Sequence, residues 1–235
     1  MRILAPLLIT VLMASGCNAG EGDIKKNIET RFPGAKVDSV AKTPVAGVYE
    51  VVVDGGEIVY ADANGDHVFT GDMLETASKR NLTKERMDKL SEIKFDTLPL
   101  DQAIKTVKGD GKRVLAVFSD PDCPYCVKLE HELAKLDNVT IHTFMFPLPM
   151  HADAPRKSRL VWCSTDRAQA WKDLMLSKKV PDGKGDCANP VEANLELGAR
   201  LRVQATPTLI LGNGKRLAGA VPAAQIDRAL NEASQ

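Results

Sequence analysis

The sequence predicts a mixed fold, α/β in its larger part and α+β overall, with a small domain leading a larger one. Three patterns carry this expectation. Val114 to Phe118 is a short apolar run that stops at Ser119-Asp120-Pro121-Asp122 and gives way to Cys126, Leu129, Leu133 and Leu136 at helical spacing, which reads as strand, turn and helix. A second apolar run, Val139 to Phe146, ends at Pro147-Leu148-Pro149 and is followed by further helical stripes. Between residues 48 and 69, short β-favouring runs are separated by Asp54-Gly55-Gly56 and Asn64-Gly65-Asp66, the punctuation of hairpins.

With 235 residues, 44% of them hydrophobic, the chain has room for one large domain or two small ones. Its formal net charge of zero gives no electrostatic case for nucleic acid. Residues 1–19 stand apart: Met1-Arg2, then Ile3 to Met13 almost wholly apolar, then small residues. That run is too short to span a bilayer and fits an export signal, which implies an oxidising compartment. Ala14-Ser15-Gly16-Cys17 is a weak lipoprotein pattern, so Cys17 is either a lipidation site that brings membrane contact or is removed with a signal cut near Ala19.

Residues 20–75 form the first domain. Ile24, Ile28 and Phe32 recur every four residues up to Pro33-Gly34, predicting a short amphipathic helix. Val48 to Val53, Ile58 to Ala61 and His67 to Phe69 follow as strands. One helix over three or four strands is a thin core. The open edge of Val68-Phe69-Thr70 suggests pairing with a second copy, against the alternative of a monomeric appendage. Residues 76–97 read as a linker with a helix, Thr83 as its N-cap and Met87, Leu90 and Ile93 as an apolar stripe.

Residues 98–235 form the second domain. Leu98-Pro99 begins a short predicted helix carrying Ala103, Ile104 and Val107, and Lys108-Gly109-Asp110-Gly111 turns into the strand before Cys123-Pro124-Tyr125-Cys126. A helical insertion occupies about 150–200, with Leu160, Trp162, Trp171, Leu174 and Met175 as core; Asn189-Pro190 starts a helix with Leu195, Leu197 and Leu201. Val203 to Leu211 contains Thr206-Pro207 before an apolar strand, where a proline suggests an edge or a bulge and, on its own, an ordinary trans bond. Gly212-Asn213-Gly214 turns into Arg216 to Ala218, and Pro222 opens a last helix with Ile226 and Leu230 inward.

The candidate chemistry lies in the cysteines, five in all. Cys123 at a helix start faces unpaired N–H groups and the positive end of the helix dipole, which favour a thiolate. A thiol of pKa near 8.5 is about 3% ionised at pH 7, against roughly 90% for one lowered to about 6. Cys123 is thus the candidate nucleophile and Cys126, one turn further in, the candidate resolving thiol. Zinc is disfavoured because no second Cys-x-x-Cys or His-x-His pair completes a ligand set. Cys163 and Cys187 bracket the insertion as either a structural bridge or two reduced thiols. Asp122 reads as the cap of the redox helix; His131 is a weak catalytic candidate, and His67, His142 and His151 have no partner that spacing reveals.

With these residues assembled, the chain resembles the thioredoxin superfamily, and more closely the periplasmic disulfide isomerases called DsbC. Cys123-Pro124-Tyr125-Cys126 and Thr206-Pro207 match the redox motif and proline loop, Cys163 and Cys187 match a second disulfide, and Val45-Ala46-Gly47 with the hairpins resembles an N-terminal dimerisation domain. The resemblance implies a thioredoxin-like catalytic domain with a helical insertion behind a cystatin-like dimerisation domain, and a V-shaped homodimer. It also implies a cis Thr206-Pro207 loop whose backbone binds substrate, redox tuning by Pro124 and Tyr125, and no cofactor beyond the cysteine pair. Misfolded disulfide-containing exported proteins as substrates and a membrane reductant of the DsbD type are the implied partners. Many relatives carry Gly where this chain has Pro124, a position that bears on redox poise. The competing functions are a thiol oxidase of the DsbA type and a redox-inactive chaperone.

Overall fold

The computed structural model describes residues 20–234, so the export-signal and Cys17 expectations lie outside the described residues. The chain divides into two compact units, the first running to Met87 and the second from Asp88.

In the first unit, α1 (Glu21–Arg31) lies on a four-stranded antiparallel sheet in the order β1 (Val37–Lys42), β2 (Val48–Val53), β3 (Glu57–Asp62) and β4 (Val68–Phe69). Ile24 and Ile28 face Val37, Val51, Val53, Val59 and Ala61, while Val52, Ile58 and Tyr60 form a smaller cluster with Met73. The Asp54-Gly55-Gly56 turn runs through three positive φ angles, 47°, 78° and 147°, which the glycines take without a Cβ penalty. β1 escaped the sequence reading, although Val37 and Val40 are its buried and half-buried positions. Phe32 leaves the predicted stripe: it is the helix's C-cap and 55% exposed. β4 stands at the sheet's edge with Val68 and Phe69 exposed.

Around the stretch read as a linker with a helix, a small hairpin, β5 (Leu74–Glu75) with β6 (Arg80–Asn81), comes before α2 (Leu82–Leu90). Thr83 lies inside that helix, 3% exposed, with its hydroxyl shared with Tyr60 and taking the Met73 N–H at 2.7 Å. Asn81 does the capping instead, accepting from Lys84 N at 2.8 Å. Met87 and Leu90 are exposed, so only Ile93 of the predicted stripe is buried.

The second unit is a five-stranded sheet in the order β11 (Arg216–Ala218), β10 (Thr208–Leu211), β8 (Arg113–Ser119), β9 (Val139–Met145) and β7 (Ile104–Lys108). β8 and β9 are parallel; every other pairing is antiparallel. The helix expected over 98–107 is instead a single 3-10 turn at Leu100–Gln102 and then β7. Ile104-Lys105-Thr106-Val107 alternates with period two and is β-branched at three positions, so pairing with β9 overrides the weak helical stripe. Pro207 stands just before β10, which is an interior strand and not the expected edge.

One face of the sheet packs Leu115, Val117 and Leu209 against Leu129 and Leu133 of α3 (Pro124–Leu133) and Ile226 and Leu230 of α7 (Ala223–Ala233). The other face packs Ala116, Phe118, Phe144 and Ile210 against Leu197 of α6 (Val191–Arg200). Gly198 of α6 is required by that packing, since a Cβ there would lie 2.1 Å from the ring of Phe146. The insertion supplies α4 (Ala154–Cys163) and α5 (Arg167–Ser177), whose Val161, Trp162, Trp171, Leu174 and Met175 cluster with both redox cysteines.

Candidate active site

β8 delivers the turn and α3 begins on it. Cys123 is the N-cap of α3, with φ −78° and ψ 121°, and Pro124 occupies the first turn, where a missing N–H has no cost. Amides of Cys126 and Val127 close on the Cys123 carbonyl at 3.0 and 3.1 Å. The Cys123 side chain makes no cap bond; its Sγ donates to the carbonyl oxygen of Thr206 at 3.5 Å. Thr206–Pro207 is cis, and the sulfur–carbonyl contact sets the proline loop against the first cysteine. Cys123 is 5% exposed and Cys126 fully buried, while Pro124 and Tyr125 between them are exposed. Of the two cysteines, only Cys123 keeps any exposed surface.

The Cys126 thiol is pushed up to about 12, chiefly by burial. Ser119 and Thr206 hydroxyls and the Asp120 amide work in the other direction, and a charge on Cys123 adds to the rise. The Asp120 amide donates to Cys126 Sγ at 3.4 Å. Neither the Ser119 nor the Thr206 hydroxyl makes a complete hydrogen bond among the described residues.

Asp120 is the residue that sequence reasoning missed. Its carboxylate, fully buried, accepts from Asp122 N at 2.7 Å, Leu148 N at 2.6 Å and His151 Nδ1 at 2.8 Å, tying the redox turn to the loop after β9. The two side chains are 31 positions apart in the chain, so no local pattern announces the pair. Asp122 is not the cap; its carboxylate receives Lys157 Nζ of α4. His131 is exposed on α3. Glu130, one turn beyond Cys126, is half-buried, takes the Trp171 Nε1–H at 2.8 Å and is raised by burial to about 7, against the lowering pull of that bond and of Lys108.

Cys163 and Cys187 are bonded, with Cα atoms 5.8 Å apart, closing the loop around α5. Among the described residues, no group of three His, Cys, Asp or Glu side chains could hold a metal, and no helix is long and apolar enough to cross a membrane.

Residues 100–234 match the family model of a thioredoxin-like domain, and residues 15–84 match that of the disulfide bond isomerase protein N-terminal domain. The chain is 40% identical over 207 residues to a probable thiol:disulfide interchange protein DsbC of Bordetella parapertussis, covering 88% of this chain and 73% of that one. It is 26% identical over 231 residues to the thiol:disulfide interchange protein DsbC of Escherichia coli K12, covering 96% and 94%. Among solved structures, a disulfide interchange protein from Neisseria gonorrhoeae is similar with a TM-score of 0.57 and 45% identity, covering 59% of this chain and 99% of that one.

Proposed function

The chain belongs to the DsbC family of thiol:disulfide interchange proteins, and from that premise we propose that it rearranges non-native disulfides of exported proteins through a mixed disulfide at Cys123. The observation that carries the mechanism is the asymmetry of the two sulfurs, one at a helix start against Thr206 O and the other buried with its thiol raised to about 12.

The Cys123 thiolate attacks one sulfur of a wrong disulfide, forming a Cys123–substrate bond and expelling the other substrate sulfur as thiolate. Another substrate thiolate then attacks the mixed disulfide, forming the rearranged bond and returning Cys123 as thiolate, with no net change in oxidation. Alternatively, Cys126 loses its proton and attacks Cys123, so the substrate leaves reduced by two electrons and the pair becomes a disulfide. Burial holds the Cys126 thiol well above the ordinary range and so disfavours its thiolate, which makes this exit slow and leaves time for rearrangement. Thr206 and Pro207 line the substrate side of Cys123, where the backbone of Thr206 can pair with an extended segment irrespective of its sequence. Pro124 and Tyr125 tune the pair from within the first turn.

The cysteine pair is the only redox group the cycle needs, and a membrane reductant of the DsbD type would restore it in the periplasm. Residues 20–75 serve pairing of two copies, supported by the exposed edge of β4; 76–97 joins them to the catalytic domain, 98–235, whose insertion is fastened by Cys163 and Cys187. The test is recovery of activity in a scrambled multi-disulfide protein. Wild type should restore it and Cys123→Ala should not; equal recovery by both would leave only a passive chaperone.

A further inference from the structure

Asp122 immediately precedes the attacking cysteine, and a bare carboxylate there would oppose the thiolate that the helix start favours. It is not bare. Lys157 Nζ donates to Asp122 Oδ1 at 2.5 Å, with the two side chains 19% and 22% exposed. Lys157 also meets Asp153 Oδ2 at 3.4 Å, and Arg156 binds Asp153 through Nε at 2.6 Å and its second nitrogen at 2.9 Å. Two acids and two bases thus balance beside the redox turn, and the basic members come from α4, the inserted helix. The pair is separated by 35 positions and joins the insertion to the residue next to Cys123.

We propose that Lys157 is a positioning residue for the exchange reaction: it neutralises Asp122 and so relieves the opposition of that carboxylate to a thiolate at Cys123. Lys157 touches no reacting atom; it acts through Asp122. The inference rests on Cys123 being the attacking sulfur. Two unit charges about 7 Å apart in an effective dielectric of about 40 shift an ionisation by about one pH unit. With both side chains partly solvated, removal of Lys157 should therefore raise the ionisation midpoint of Cys123 by about half a unit to one unit. That corresponds to a loss of about three- to tenfold in reactivity below the midpoint.

The experiment follows thiolate ultraviolet absorbance and iodoacetamide alkylation against pH on the reduced full chain, with the modified residue mapped by mass spectrometry. Lys157→Gln should raise the midpoint, Lys157→Arg should hold it near wild type, and Asp122→Asn should lower it. The double variant Asp122→Asn/Lys157→Gln should lose the rise seen in Lys157→Gln alone, because the carboxylate that needed a partner is gone. A structural role alone would move folding stability in these variants without this ordering. A midpoint unmoved by Lys157→Gln overturns the proposal, as does a double variant that shifts as far as that single one. Should Lys157→Gln not fold, Asp122→Asn decides: a lower midpoint supports the charge pair and an unchanged or higher one overturns it. Alkylation mapping to a residue other than Cys123 would instead overturn the exchange mechanism, and this inference with it.

Discussion

The thiol of Cys123 donates to the backbone carbonyl of Thr206 at 3.5 Å, a contact between residues 83 positions apart. A thiolate has no proton to give, so ionisation for attack breaks this bond and leaves the carbonyl free for the amide of an incoming chain. On the proposed mechanism, substrate capture and nucleophile activation would be linked at that one oxygen. In a Cys126→Ala variant the mixed disulfide loses its internal exit and should accumulate, visible as an adduct on a non-reducing gel that reductant removes. Net reduction of a single-disulfide peptide should fall by about a hundredfold or more while rearrangement persists within a few-fold. Amides flanking the trapped substrate cysteine should show slowed hydrogen exchange; exchange as fast as in the free peptide would remove Thr206 from substrate binding.

Glu130 should give the protein a pH-dependent stability of unusual sign. Its folded carboxyl is raised from 4.5 to about 7 by burial, so the folded state holds the proton over a range where the unfolded state has lost it. Stability from this group is fully present below the unfolded value and is lost as pH rises towards 7. Urea midpoints should decline from about pH 5 to about pH 8, and Glu130→Gln should flatten the decline. In a Trp162→Phe background, Trp171 fluorescence should titrate with the same midpoint through its 2.8 Å bond to Glu130, and lose that titration in Glu130→Gln.

Asp120→Ala removes one acceptor from three donors in a fully buried place. Leaving such donors unpaired should cost about 2–4 kcal/mol in chemical denaturation. His151→Ala, which leaves the two backbone donors paired, should cost about 1 kcal/mol or less. Equal losses in the two variants would show that the imidazole, and not the backbone clamp, carries the stability.

Opening the Cys163–Cys187 bond by a double serine substitution frees a loop with a sequence separation of 24. In the chain-entropy account this loses about 3–4 kcal/mol. Because α4 and α5 also bury Trp162 and Trp171 around the redox pair, exchange activity in folded variant protein should fall with it. Unchanged activity at lower stability would assign the bond to fold maintenance alone.

The strand, the turn and the helix of the redox motif are legible because they are local: apolar run, turn formers and helical spacing follow one another without interruption. What escapes reading is settled at long range. Asp122 looks like a helix cap until Lys157 arrives from the insertion, and Asp120 looks like a turn former until His151 and Leu148 close on it. Ile104 to Lys108 fits a weak helical stripe and becomes a strand only because β9 offers a partner. Phe32, by contrast, continues the four-residue spacing of Ile24 and Ile28 past the last helical turn, where it meets solvent.

α3, which carries both sulfurs, is also the segment that takes the chain from β8 to its parallel neighbour β9. Parallel strands cannot be joined by a tight turn, so the chain must lay this helix across the sheet before the two central strands can meet. Architecture and the helix start that sets Cys123 apart are consequently laid down together: a chain that has joined its middle strands has already placed that cysteine at the head of α3, and one that has come undone there keeps two ordinary thiols.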